Sequence, residues 1–361
     1  MPTSPAGRRS DTVSVVPDAI RPTALLGNLS SLSLAALRRV ARAVYPGPTW
    51  KSRGLRVIFI ARHLAHGRNA GLWLDYLGRP GMAAAVVQHP SLYRKVVRPY
   101  VSRNWPDAVK TAAMIHHYEA LRRSVAPEVR AQIFSPAGAE LAVFPVRNGD
   151  LLTVRLRYDP KFRKEGETTL ELVSARHACR IFCLTFVLAP DRRQRRCLVI
   201  GAVSGLPAGT DKAIIKDTAK ALFGLRPKAL LLAVLQELAQ AWGAHGLLGV
   251  GSRVHTSRHP VYALNRSRRF SIAYDEFWRE AGGTRESDGF FRLPLHWVER
   301  PEAAIESHKR SLYRQRHAWI RDLQLTLRRR LREWAPAGPE KRDPEAVSGL
   351  PAGELATAVA S

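Results

Sequence analysis

A change of period at Glu140 constrains this chain more than any other feature. In Leu152-Thr153-Val154-Arg155-Leu156-Arg157-Tyr158 every second residue is apolar, the signature of a strand with one buried face. Asp159-Pro160 and Lys164-Glu165-Gly166 punctuate the pattern, and Thr168 to Val173 reads as the next strand. Arg180 to Leu188 and Cys197 to Val203 are nearly continuous apolar runs, as expected of central strands, joined by a turn from Pro190 to Arg195. These segments predict an antiparallel meander inside an α+β chain.

Helical spacing governs the flanks. Leu34, Leu37, Ala41 and Val44 recur along Leu32 to Val44, after capping chemistry at Asn28 to Ser31 and before Pro46-Gly47. A further helix is expected through Ala108 to Leu121, carrying His116, His117 and Tyr118. Beyond the meander, helices are expected at Lys212 to Phe223, Lys228 to Trp242, Ile272 to Ala281 and Ile305 to Trp334. Strands are expected at Gly246 to Val250 and Phe290 to Val298. The expected organisation is a disordered arm over residues 1–28, a helical region over 29–135, an α+β domain over 136–334 and a disordered tail over 335–361. The octet Ala202 to Gly209 recurs at Ala346 to Gly353, and no physical reason for it is apparent.

Charge bounds the partners. Lys and Arg number 57 against 30 Asp and Glu, for a net charge of +27, which attracts polyanions or anionic lipid. The excess is spread along the chain, so a generally arginine-rich composition explains it as well. The three cysteines lack metal-ligand spacing, which points to a reducing compartment. Residues 1–22 lack the apolar core of a signal peptide, and apolar runs fall far short of the ~20 residues of a membrane span. A cytoplasmic protein, peripheral to the inner membrane at most, is the expectation.

The stretch from Asn265 to Arg316 sets Tyr274-Asp275-Glu276-Phe277-Trp278, Gly282-Gly283, Asp288-Gly289-Phe290-Phe291-Arg292-Leu293-Pro294 and Lys309-Arg310-Ser311-Leu312-Tyr313-Arg314-Gln315-Arg316 in that order. With Arg98-Pro99-Tyr100, His117-Tyr118 and His255 it resembles the VirK/YbjX proteins of Gram-negative bacteria, a domain family of unknown function, over roughly Pro90 to Leu331. The resemblance implies a role in envelope stress and in resistance to cationic antimicrobial peptides. The element order also resembles the GNAT acyltransferase superfamily. The coenzyme-binding loop of that superfamily is replaced here by Gly205-Leu206-Pro207-Ala208-Gly209-Thr210-Asp211, where Pro207 lacks an N–H and Asp211 would repel a pyrophosphate. The resemblance therefore implies an acyltransferase-like protein with another anionic donor or acceptor, such as aminoacyl-tRNA or acyl carrier protein.

Tyr274 stands where such enzymes place a tyrosine general acid; it serves equally as a packing residue beside Phe277 and Trp278. Arg253, His255 and Arg266 in one loop, with Arg310, Arg314 and Arg316 in the last helix, are candidate anion-binding residues sharing one rim; each set also reads as solvated charge. Neighbouring cations disfavour a metal at His255 and His259, and no cofactor is assigned. The last helix carries Leu312, Trp319, Ile320, Leu323, Leu327, Leu331 and Trp334 as an apolar stripe among arginines. The alternative function is therefore a non-enzymatic binder of anionic lipid head groups, a membrane surface or nucleic acid.

Overall fold

The computed structural model describes residues 32–191, 193–207, 209–265 and 274–337. Among them, four helices open the chain: α1 (Leu34–Val44), α2 (Trp50–Ala65), α3 (Gly67–Leu77) and the short α4 (Ala83–Gln88). Ser33 caps α1 by accepting the Ala36 N–H, and Thr49 caps α2 by accepting the Ser52 N–H. The 3₁₀ turn Pro90–Arg94 leads to α5 (Asp107–Ser124) and α6 (Pro127–Phe134). The capping segment Asn28 to Ser31 lies outside the described residues.

The meander is present. Strands β1 (Ala139–Pro145), β2 (Leu151–Arg157), β3 (Thr168–Ser174), β4 (Cys179–Pro190) and β5 (Arg196–Ser204) pair antiparallel in sequence order. β2 alternates as its pattern requires, with Leu152, Val154 and Leu156 fully buried. Cys183 and Leu198 sit in neighbouring strands, as expected.

After β5 the chain crosses through α7 (Ala213–Ala221) and α8 (Pro227–Ala241) and returns as β6 (Gly246–Val250), parallel to β5. Helix α9 (Tyr274–Glu280) precedes the two-residue β7 (Thr284–Arg285) and β8 (Phe290–Leu293). β8 inserts between β6 and β7, completing an eight-stranded sheet ordered β1-β2-β3-β4-β5-β6-β8-β7. The fold is mixed α/β with a mostly antiparallel sheet. A continuous buried cluster runs from Ala36 to Trp334.

Two boundaries differ from the sequence reading by five residues each. The strand expected to Val298 ends at Leu293, because Pro294 has no N–H to continue a ladder. The helix expected from Ile305 begins at Arg310 as α10 (Arg310–Glu333). Ile305 is buried in an extended conformation between two 3₁₀ turns, at Glu302–Ala304 and Ser307–Lys309. Among the described residues no helix is long and apolar enough to cross a membrane. The apolar stripe of α10 is docked, with Ile320, Leu323, Leu327, Leu331 and Trp334 buried.

Candidate functional site

Before β3 the chain carries Glu167, whose carboxylate is sealed inside the protein. Tyr100 donates to one oxygen at 2.7 Å and Tyr118, from α5, to the other at 2.5 Å. Lys95 lies 2.7 Å from the same carboxylate and also donates to the Gly166 carbonyl at 3.0 Å. A buried ion pair is tolerable only when further hydrogen bonds saturate it, and this one is held by two phenols. Burial pulls the Lys95 ammonium down against the opposing pull of Glu167, and burial raises both phenols well above their ordinary range.

His117 stands beside this network. Its Nδ1 accepts the Leu188 N–H at 3.1 Å, so the proton sits on Nε2, which donates to Thr168 Oγ1 at 3.0 Å. Burial, reinforced by Lys95 and His116, keeps the ring neutral.

On the outer side, Arg94, Lys95, Arg98, Arg163 and Lys164 converge on a cavity of about 10 Å³, room for one water-sized occupant. Arg94 Nε is sealed from solvent without a hydrogen-bond partner among the described residues. Burial lowers the Arg94 pKa, and Arg98, Arg163 and Arg62 lower it further by like-charge repulsion. Next in the chain, Glu165 has an oxygen likewise sealed and unpartnered among the described residues, and burial raises its carboxyl pKa.

The backbone of Glu165 then runs against Gly201 of β5 so closely that a methyl group there would overlap the Glu165 carbonyl. At this point the sheet opens. β5 and β6 pair only from Cys197 to Ile200 and from Gly246 to Gly249. Two side chains take up the freed β5 backbone. His255 donates from Nε2 to the Gly201 carbonyl at 2.9 Å while its Nδ1 accepts the Ser257 N–H. The Tyr274 hydroxyl accepts the Val203 N–H at 3.0 Å and faces the Val203 carbonyl at 3.4 Å. The two rings meet edge to face, 5.3 Å apart. Burial lowers the His255 pKa to about 4 and raises that of Tyr274. His255 is therefore a neutral strut at physiological pH.

The remaining candidate residues are spread more widely. Arg253 is exposed in the turn after β6, and Arg266 lies outside the described residues. Arg310 donates to the Ile305 carbonyl at 3.3 Å, and Arg314 is exposed. Arg316 donates twice to the Phe223 carbonyl, at 2.9 and 2.7 Å, and stacks on Tyr313 at 4.1 Å. It thereby caps the left-handed turn Phe223-Gly224 that ends α7. At the start of α7, Asp211 accepts the Ala213 N–H at 2.8 Å, so a carboxylate already occupies that helix start. A second cavity, of about 660 Å³, lies among Trp105, Val109, Val199, Leu248 and Phe290. Its rim cations Arg195 and Arg292 are paired with Asp191 and Glu286.

Tyr100, Tyr118, His255 and Tyr274, far apart in the chain, thus lie along one path from Glu167 through Glu165 and Gly201 to Val203. A family profile described as "protein of unknown function (DUF535)" matches residues 48–329. The chain belongs to this family. It is 27% identical over 298 residues to the uncharacterized protein YbjX of Escherichia coli (strain K12), covering 82% of this chain and 89% of that one. An uncharacterized protein of Haemophilus influenzae (strain ATCC 51907 / DSM 11121 / KW20 / Rd) is 29% identical over 167 residues, 46% of this chain and 53% of its own.

The sequence reading named Tyr100, Tyr118, His255 and Tyr274, and of the charged residues around Arg94 it singled out only Arg98. Lys95, Glu165, Glu167, Arg94 and Arg163 carry no spacing that separates them from surface charge. The one available signal was that Glu165-Gly166-Glu167 directly precedes a strand of continuous burial, where a carboxylate needs a partner.

Proposed function

We propose that the chain is an acyltransferase-like protein with a GNAT-like core whose donor or acceptor is anionic. One observation carries the reading: five cations converge beside the point where β5 parts from β6. The cavity admits only a water-sized occupant, so an anionic group would rest on its outer rim against the half-buried Arg94, Arg98, Arg163 and Lys164, and the next residue, Glu165, touches the opened strand at Gly201. The parallel β5–β6 pair after a helical crossover, and the insertion of β8 beside β6, support the GNAT-like part.

Free coenzyme A fits poorly. Asp211 sets negative charge at the start of α7, where a pyrophosphate would otherwise rest. Aminoacyl-tRNA and the phosphopantetheine arm of an acyl carrier protein bring phosphate without that requirement. In this reading Tyr274 is the general acid. Burial raises its pKa in the resting fold, so a substrate must displace its hydrogen bonds to Val203 and lower that pKa before the phenol can give its proton to a leaving group.

The test is a transfer and binding assay with acyl-CoA, aminoacyl-tRNA and acyl carrier protein. Arg94→Gln with Arg98→Gln should weaken binding of the true ligand about tenfold and flatten its salt dependence. Tyr274→Phe should keep binding and lose transfer. Absence of transfer from every donor, with Tyr274→Phe binding as the parent does, removes the enzymatic reading.

The second reading is a non-enzymatic binder of lipid head groups or nucleic acid through α10. The burial of its stripe favours it in one form only: Arg310 and Arg314 project outward as phosphate contacts. Arg310→Gln with Arg314→Gln would then abolish binding where the Arg94 and Arg98 changes do not. The envelope-stress role implied by the resemblance is read by growth of a deletion strain in a cationic peptide.

A further inference from the structure

We propose that the outward face of α2 docks on the surface of an anionic phospholipid bilayer. Its inner face is fixed to the protein: Phe59 and His63 are buried, and the His63 ring nitrogens lie 2.8 and 2.9 Å from the Phe59 and Tyr93 carbonyls, one of which accepts its N–H. Its outer face is apolar and uncovered among the described residues. Trp50 is 86% exposed, Val57 66%, Leu64 52% and Ile58 49%. At ~100° per residue, these four fall with Gly54 and Ala61 in an arc of about 120° opposite Phe59. Exposed Arg53 borders one side of that arc, and Lys51 and Arg62 border the other.

Charge commits the face to one occupant. Every charged residue from Leu32 to Leu74 is Lys or Arg, and the next carboxylate along the chain is Asp75. An apolar strip with an aromatic at one end and cations along both borders matches the interfacial plane of an anionic membrane, with the strip among the acyl chains and the cations at the head groups. A nucleic acid would meet the cations but leave the aliphatic strip in water. The helix spans about 24 Å, so it can lie in the interface but is too short to cross it. This inference rests on the exposed arc of α2, and Arg62 alone among its residues also neighbours the cluster at Arg94.

The experiment is co-sedimentation of the full chain with vesicles of phosphatidylglycerol and phosphatidylcholine in equal parts, against phosphatidylcholine alone. The parent should partition onto the anionic vesicles at least about tenfold better. Trp50→Ser with Val57→Ser should lower that partitioning at least about tenfold with Tm unchanged, because both side chains are exposed. Lys51→Gln, Arg53→Gln and Arg62→Gln together should weaken binding and flatten its salt dependence. Equal binding by parent and Trp50/Val57 variant overturns the proposal, as does loss of binding only in the Arg310/Arg314 variant. A parent that is dimeric, and becomes monomeric on the Trp50/Val57 change, assigns the face to a second copy and equally overturns it.

Discussion

Lys95 Nζ and Glu167 Oε2 lie 2.7 Å apart with both side chains essentially sealed from solvent. This pair ties the loop after the Pro90–Arg94 turn to the leading end of β3, and Tyr100 and Tyr118 complete the shell of the carboxylate. The anion cluster stands on that tie, because Arg94 and Arg98 flank Lys95 in the chain.

Lys95→Met should therefore destabilise strongly, by about 3–5 kcal/mol, because Glu167 is left buried and uncompensated. Adding Glu167→Gln should recover part of the loss. Urea denaturation measures both, and additive effects in the double variant would show that the pair is not coupled.

Gly201→Ala should cost about 2–3 kcal/mol or more, since the new methyl overlaps the Glu165 carbonyl and neither backbone has room to retreat. At Gly205 a methyl would sit 3.5 Å from the Phe182 ring, an ordinary contact. Gly205→Ala should change stability by less than about 1 kcal/mol. Equal melting losses in the two variants would remove the close approach as the reason for Gly201.

Acid should destabilise the fold through its histidines. Burial lowers His116 and His255 to about 4 and His117 well below its ordinary value of 6.5. The unfolded rings take up protons below pH 6.5 while the folded ones do not. Stability held above pH 6.5 is thus lost as pH falls from 6.5 toward 4, at about 1–3 kcal/mol per ring. His117→Gln should start lower at pH 7 and show a shallower fall of Tm across that window. An identical slope would assign the acid sensitivity to carboxylates instead.

Arg328 reinforces the docking of α10 by gripping the buried Glu237 of α8 through Nε at 2.7 Å and Nη2 at 3.0 Å. The guanidinium is half-exposed, so Arg328→Gln should cost only about 1–2 kcal/mol. Limited proteolysis should cut the α10 variant sooner than the parent. Arg328→Leu with Glu237→Leu should restore the parent's resistance.

The sheet was legible where burial has a simple period. β2 alternates in sequence and in burial, and β4 and β5 are nearly continuous apolar runs because their middles lie buried inside the sheet. The last strand and last helix were read too long, because periodicity extended past Pro294 and through Ile305, two places where the backbone changes conformation. β7 has only two residues, too few to show a period.

For the candidate site, Tyr274 was reached through a resemblance and its place at a helix start, and His255 through the family resemblance and its basic loop. Their neutral, backbone-bonded state depends on where β5 leaves β6, which is a pairing between distant segments. The same holds for Arg316. In sequence it is one basic residue among many, and in the fold its donors are spent on the Phe223 carbonyl. What the sequence determined by itself was local: strand and helix periods, a strong positive charge and membership of a family. Only the tertiary structure decided which charges are buried in pairs, as Lys95 and Glu167 are, and which cations crowd together, as around Arg94. The physical reason is that a charge's surroundings are set by chain segments its own neighbours in sequence do not contain.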